Sequence, residues 1–379
     1  MSFQLSQEQE MIRLMAQDFA KKELEPFAGK WDKEETFPAA AIKKMGALGL
    51  MGMMVPVEYG GAGVGAVGYS LALQEIAYAC ASTAVTMSVT NLSSDPILKF
   101  GNEEQKRRYL TPLAQGEMLG AFAITEPEAG SDPGGMKTRA EDRGDHYLVN
   151  GSKVFITNGS YADVLILVTR TGLEKANRGL SAFLLTKGTP GFKIGRTEEK
   201  MGIRASDTVE LLFDDCRIPK ENLLVKEGFG FRIAMTALDS GRIGIASQSL
   251  GIARACLHEA IRYAKTRRQF GKSIGSFQAI QWMIADTATE IEAANQLTLY
   301  AADRKDQDLS FTKEASMAKL FASEMANRAA YRAIQIHGGY GYMREFKVER
   351  LYRDARVTTI YEGTSEVQRI VIAREFMQD

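Results

Sequence analysis

His146 to Gly159 reads HYLVNGSKVFITNG, with β-branched and aromatic residues on either side of Asn150–Gly151, the pattern of two short strands joined at a hairpin turn. Three further runs rich in Val, Ile, Leu, Phe and Thr follow it: Asp163–Thr171 (DVLILVTRT), Leu180–Gly188 (LSAFLLTKG) and Asp207–Ile218 (DTVELLFDDCRI). Short strands at near-regular spacing predict a small β-barrel or sandwich. The flanks read differently. Upstream, Ser6 and Gln9 form a capping-box pattern, Met11, Leu14, Met15 and Phe19 recur on one helical face, and Tyr69–Ala81 has no strong breaker. Downstream, Ala- and Gly-rich Gly241–Thr266 suits close helix packing, Phe277–Lys305 and Thr312–His337 are long helices, and Gly338–Gly339 caps the last of these. The expected order is helices over residues 1–118, a β domain over 119–226 and a helical bundle over 227–379. This α+β layout does not alternate as a doubly wound sheet would.

The 379 residues allow two or three domains. The 47 basic and 47 acidic side chains cancel, which argues against a nucleic-acid binder. No stretch approaches the ~18 uninterrupted apolar residues of a membrane span. The N-terminus lacks the basic and apolar regions of a secretory signal. Cys80, Cys216 and Cys256 are too scattered for a zinc site or a disulfide framework, so a reducing interior is expected: bacterial cytoplasm or, for a processed form, the mitochondrial matrix. His146, His258 and His337 fit no metal spacing, so no metal is expected.

Gly63–Gly68 matches G-x-G-x-x-G, but no acid lies between Glu75 and Asp95 to hold a ribose. The plainer reading is a glycine-rich loop before a helix. More chemistry resides in Thr358–Phe376, TTIYEGTSEVQRIVIAREF. Here Glu362 precedes a helix capped by Thr364 or Ser365, and Gly363 lets backbone approach closely. A carboxylate shielded at such a point can act as a base toward a weak carbon acid; alone, it also reads as a turn glutamate. Ala121–Gly135 (AFAITEPEAGSDPGG) offers donors to a heterocycle or phosphate, or is a polar interdomain loop. Thr266–Gln281 places Arg267 after one helix and Gln278 at the start of the next. Gln335–Glu345 exposes backbone at Gly338 and Gly339.

Together with Leu238–Ala253 and Met201–Pro219, these motifs resemble the acyl-CoA dehydrogenase family over essentially the whole chain, most closely its short-chain, butyryl-type members. The resemblance implies a helical domain, a β-barrel-like domain and a C-terminal four-helix bundle, assembled as a homotetramer. It implies FAD lined by Phe122, Ile124, Thr125 and Ser131, and by Phe155, Ile156 and Thr157. Thr364 and Glu366 join these beside the base, while Arg267, Phe270, Gln278, Gln335, Ile336, Gly338 and Gly339 reach FAD across the subunit interface. Ser131, Asp239, Arg242, Tyr361 and Gly363 would contact the acyl-CoA. Glu362 would take the α-proton as hydride leaves the β-carbon for flavin N5. The thioester oxygen would be held by the base's own N–H and a ribityl hydroxyl, each good donor contributing roughly 3–4 kcal/mol. An electron-transfer flavoprotein would receive the electrons; an oxidase using oxygen is the alternative. Some members carry the base where this chain has Gly241, which leaves Glu362 as the single base. Asp95 departs from the family pattern. It reads as a capping or surface residue before Pro96, or as part of a segment, Ser88–Gly101, shaping a pocket for a branched, cyclic or functionalised acyl group. Glu128 is a second departure, with no function attached.

Overall fold

The structure, a computed structural model, describes residues 5–172 and 176–377; the N-terminal stretch read above lies outside it in its first four residues. Helices α1 (Gln7–Phe19), α2 (Glu25–Glu34), α3 (Ala39–Ala47), α4 (Gly65–Ala79), α5 (Ala81–Phe100), α6 (Glu103–Gln105) and α7 (Thr111–Ala114) come first. Strands β1 (Gly120–Ala123), β2 (Arg139–Asp142), β3 (His146–Thr157), β4 (Val164–Arg170), β5 (Leu180–Thr186), β6 (Phe192–Thr197) and β7 (Thr208–Pro219) form one sheet. Helix α8 (Gly230–Thr266), a two-residue-stranded hairpin of β8 (Arg268–Gln269) and β9 (Lys272–Ser273), then α9 (Gln278–Asp306), α10 (Thr312–His337), α11 (Lys347–Arg356) and α12 (Ser365–Met377) complete the chain.

Ser6 accepts from Gln9 N, and the Gln9 side chain accepts from Ser6 N, so the capping box forms. The buried face of α1 differs from the one its sequence suggests. Phe19 and Ala16 are buried and Ile12 and Met15 pack beside them, whereas Met11 and Leu14 point outward, 64% and 46% exposed. The α4 surface selects that stripe, rotating α1 away from the reading by apolar residues alone.

The Asn150–Gly151 pair makes no hairpin. β3 runs through it unbroken, and pairing with β7 skips from Val149↔Cys216 to Gly151↔Phe213. The turn signal is spent on a bulge. Asn150 accepts from Asp215 N at 2.8 Å, and a Cβ on Gly151 would lie 2.6 Å from Thr138 Oγ1.

β4 is apolar without interruption because both of its faces are covered. Val164, Ile166 and Val168 pack with Leu92 and Ile97 of α5 and Ile233 and Ala237 of α8, while Leu165 and Leu167 fill the interior of the β domain. One face of the sheet therefore ties all three parts of the chain together.

α4 lies close along α8 because small residues line the contact. A Cβ at Gly251 would meet Gln74 O at 2.4 Å, and Ser70 and Ser247 share a hydrogen bond of 2.7 Å. The glycine-rich loop before α4 holds no nucleotide phosphate. Its helix N-terminus is already filled by Asp306, whose carboxylate accepts from Ala66 N and Val67 N at 2.5 and 3.0 Å. Gly65 makes the room, since a Cβ there would lie 2.7 Å from Asp306 Oδ2. Asp306→Ala is expected to lower the thermal midpoint by removing this cap, at a cost of about 1 kcal/mol; an unchanged midpoint would show that the carboxylate caps nothing.

Candidate active site

Glu362 sits between a short 3-10 turn, Val357–Thr359, and α12. Thr364 caps that helix, its hydroxyl accepting from Val367 N at 3.3 Å. Glu362 and Gly363 both have left-handed backbones, φ 54° and 87°, which reverse the chain sharply. Left-handed geometry costs a non-glycine residue about 1–3 kcal/mol, so neighbouring elements must hold it. Gln368 of α12 donates to Glu362 O and Gly363 O, each at 3.0 Å. Buried Lys319 of α10 donates to Gly363 O at 2.7 Å. Tyr361 donates through its hydroxyl to Gln248 of α8.

The turn drives the carboxyl against α8 at Gly241. A Cβ on Gly241 would lie 2.6 Å from Glu362 Oε2 and 3.2 Å from Leu92 Cδ1. The glycine thus leaves the gap that the carboxylate fills. Glu362 Oε2 is sealed from solvent without a hydrogen-bond partner. Burial pushes its pKa up to about 7, against the opposing charges of Arg242 and Lys319. Arg242 is itself buried, paired with Asp239 at 2.5 Å and Ser316 at 3.2 Å. Asp239 also accepts from Thr312 at 2.6 Å. An unpaired carboxylate poised near neutrality is suited to taking a proton.

A second group gathers at the ends of β1 and β3. Val154 N donates to Thr125 O at 2.9 Å, which brings Phe122, Ile124 and Thr125 beside Phe155, Ile156 and Thr157. Fully buried Lys153 fixes this junction, donating to Ile124 O at 3.0 Å and Glu126 at 2.7 Å. Glu126 in turn accepts from Lys137 N and Thr138 N. Ile156 turns into the β core, while Phe155 has φ 59° and is 64% exposed. Strained backbone that presents an aromatic ring outward fits a flat cofactor. Asn158, just beyond, donates to Thr86 O of α5 and Gly120 O of β1. α5 therefore touches both the end of β3 and, through Leu92, the Gly241 gap beside Glu362. Ser131 is exposed on the loop leading away, and Glu128 there pairs with Lys137.

A third group lies at the far end of the bundle. The Arg267 guanidinium stacks over Tyr340 at 5.4 Å, and Gly338 and Gly339 are exposed beside it. Gln278 and Gln335 are also exposed, Ile336 is buried, and Phe270 is 91% exposed with φ 51°. Gly241 and Arg267 stand about 39 Å apart along α8 at 1.5 Å per residue. Within one chain the two ends cannot serve one small cofactor.

Asp95 is neither a cap nor a surface residue. It is buried inside α5, bonded to Ser240 at 2.7 Å and ion-paired with Lys99 and Lys305 at 3.3 and 3.5 Å. His337 is buried on the Tyr263 ring at 4.2 Å, with Nδ1 at 2.7 Å from Ala333 O. Lys319 lies outside the motifs, while Gln248 and Gln368 lie within Leu238–Ala253 and Thr358–Phe376 without standing out there. Their one sequence signal is a polar residue on an otherwise buried helix face.

Family models for the acyl-CoA dehydrogenase N-terminal, middle and C-terminal domains match residues 6–117, 121–216 and 228–377. The short-chain specific mitochondrial acyl-CoA dehydrogenase of Mus musculus is 51% identical over 378 residues, covering 100% of this chain and 92% of that protein. The structure of butyryl-CoA dehydrogenase from Megasphaera elsdenii matches at TM-score 0.98 with 44% identity, covering 100% of both chains. A structure described as the electron transferring flavoprotein of Acidaminococcus fermentans, concerned with flavin-based electron bifurcation, matches at TM-score 0.99 with 47% identity over 100% of both chains.

The raised pKa of Glu362 has a consequence for stability. A carboxyl that titrates higher folded than unfolded is disfavoured by the fold in its ionised form. Stability is therefore lost as pH rises from the ordinary glutamate range through about 7. Glu362→Gln carries no such charge. Its thermal midpoint relative to the parent is expected to rise between pH 5 and pH 8, about 1.4 kcal/mol being the scale of one pKa unit. A pH-independent difference would rule out the buried charge.

Proposed function

The chain belongs to the acyl-CoA dehydrogenase family, and on that footing we propose that Glu362 is the base that takes the α-proton of a short-chain acyl-CoA thioester. Members of this family are FAD flavoproteins acting on CH–CH bonds. The observation that carries the reading is the sealed, unpaired Glu362 Oε2 in the gap at Gly241, on a carboxyl whose pKa is raised to about 7.

FAD, when bound, supplies the acceptor for the hydride that leaves the β-carbon. Phe122, Ile124, Thr125, Phe155 and Thr157 would hold its ring system, the Ile156 side chain serving the β core behind them, with Ser131, Thr364 and Glu366 at its margins. The Cα–H bond breaks toward the Glu362 carboxylate, and its electron pair becomes the new double bond. Glu362 N donates to no acceptor among the described residues, so it is available to the thioester oxygen as negative charge gathers there. Tyr361 and Gly363 fix the direction of the base through Gln248 and Lys319. Arg242 supplies positive charge behind the carboxylate, and Asp239 with Ser131 would meet the CoA portion.

The far group needs a second copy of the chain. Arg267, Phe270, Gln278, Gln335, Gly338 and Gly339 would complete the FAD site of a partner subunit in a homotetramer, with Ile336 packed beneath them. An electron-transfer flavoprotein is the proposed acceptor, consistent with the likeness to the Acidaminococcus fermentans structure.

Anaerobic mixing with butyryl-CoA tests the assignment. The parent enzyme is expected to bleach its flavin rapidly. Glu362→Gln should stay yellow but bleach slower by orders of magnitude, general-base removal alone being worth about 100- to 10,000-fold. Near-parental bleaching in the variant would remove Glu362 from the role.

A further inference from the structure

α8 carries a second glycine one turn beyond Gly241. A Cβ at Gly244 would lie 2.6 Å from Ser88 Oγ and 2.7 Å from Tyr69 Oη, much as a Cβ at Gly241 would meet Glu362 Oε2. Residues three apart share a helix face, roughly 5–6 Å between Cβ positions. The base and the two hydroxyls therefore stand on one face of α8 about one turn apart. Leu92, one turn after Ser88 on α5, closes the side opposite Gly241. Tyr69 enters from α4 and is 2% exposed; Ser88 is 4% exposed. Gly244 is thus covered by two buried hydroxyls much as Gly241 is covered by the Glu362 carboxyl.

The hydroxyl pair is a built feature of that end. Tyr69 donates to Ser88 Oγ at 3.2 Å. Thr86, Thr90, Ser93 and Ser94, its neighbours on α5, each spend their proton on the carbonyl one turn back. Ser88 is not among them: it faces α4 and α8.

We propose that the Tyr69–Ser88 pair, seated on Gly244, is the end wall of the acyl pocket and sets the chain-length limit. The inference rests on Glu362 being the base. The three residues from Gly241 to Gly244 rise about 4.5 Å, the reach of roughly three carbons in an extended tail. A longer tail would have to displace two buried hydroxyls that pack against helix backbone and cannot retreat into it.

The test is a chain-length profile, kcat/KM for butyryl-, hexanoyl- and octanoyl-CoA, in the parent, Ser88→Ala and the double variant Tyr69→Phe/Ser88→Gly. The hexanoyl-to-butyryl ratio is expected to rise about tenfold in the double variant and about threefold in Ser88→Ala, which removes one oxygen and keeps the helix. Rates that fall together with the ratio unchanged would mean the pair is only structural and would overturn the proposal. The same ratio, measured as Kd in a Glu362→Gln background, is expected to shift in parallel and does not require turnover. A parent that bleaches with none of the three thioesters would overturn the catalytic reading instead, while the binding ratio would still decide the wall.

Discussion

A carboxylate pressed against helix backbone without a hydrogen-bond partner is the constraint around which this molecule is arranged. Leaving such a group unsatisfied costs about 1–3 kcal/mol or more, and the left-handed backbone that aims it costs a similar amount. Neither survives unless the surroundings are rigid. Three helices supply that rigidity at named points: Gln248 on α8 holds Tyr361, Lys319 on α10 holds Gly363 O, and Gln368 on α12 holds the carbonyls of Glu362 and Gly363. Gly241 then leaves the space that the Glu362 carboxyl fills.

The same economy joins the base to the proposed cofactor surface. α5 presents Leu92 and Ser88 toward α8, while Thr86 O anchors Asn158 at the end of β3. One helix thus touches both the contact of Glu362 with Gly241 and the end of the strand that carries Phe155. The sheet side is locked separately, through buried Lys153 and Glu126 beneath the loop that follows β1. Burial pushes the Lys153 ammonium down to about 8, opposed by Glu126, so the pair stays charged at neutral pH and the loop stays pinned. Rigid walls on both sides favour catalysis by placement, with the carboxylate desolvated before substrate arrives.

Much of this was legible in the chain. The helix-strand-helix order follows from hydrophobic period, and a charged residue followed by glycine at a helix start singled out Glu362. Where local signals misled, a partner distant in sequence decided the outcome. Asn150–Gly151 carries a hairpin signature, yet Asp215 of β7 captures Asn150 and turns it into a bulge. Asp95 beside Pro96 looks like an exposed cap, yet Lys305 of α9 and Lys99 allow it to be buried. Gly63–Gly68 resembles a phosphate loop, yet Asp306 supplies the anion from within the chain.

The sequence by itself determined the family and the layout, because these depend on residue types at short spacings, and it drew attention to Glu362. It could not show that Tyr69 and Ser88 pack on Gly244 as Glu362 packs on Gly241, or that Glu362 Oε2 is unpaired. Those facts arise from α4, α5 and α10 packing across α8, which brings residues from four helices within van der Waals contact. That packing seals Glu362 Oε2 from water, and burial raises the pKa of the carboxyl to about 7.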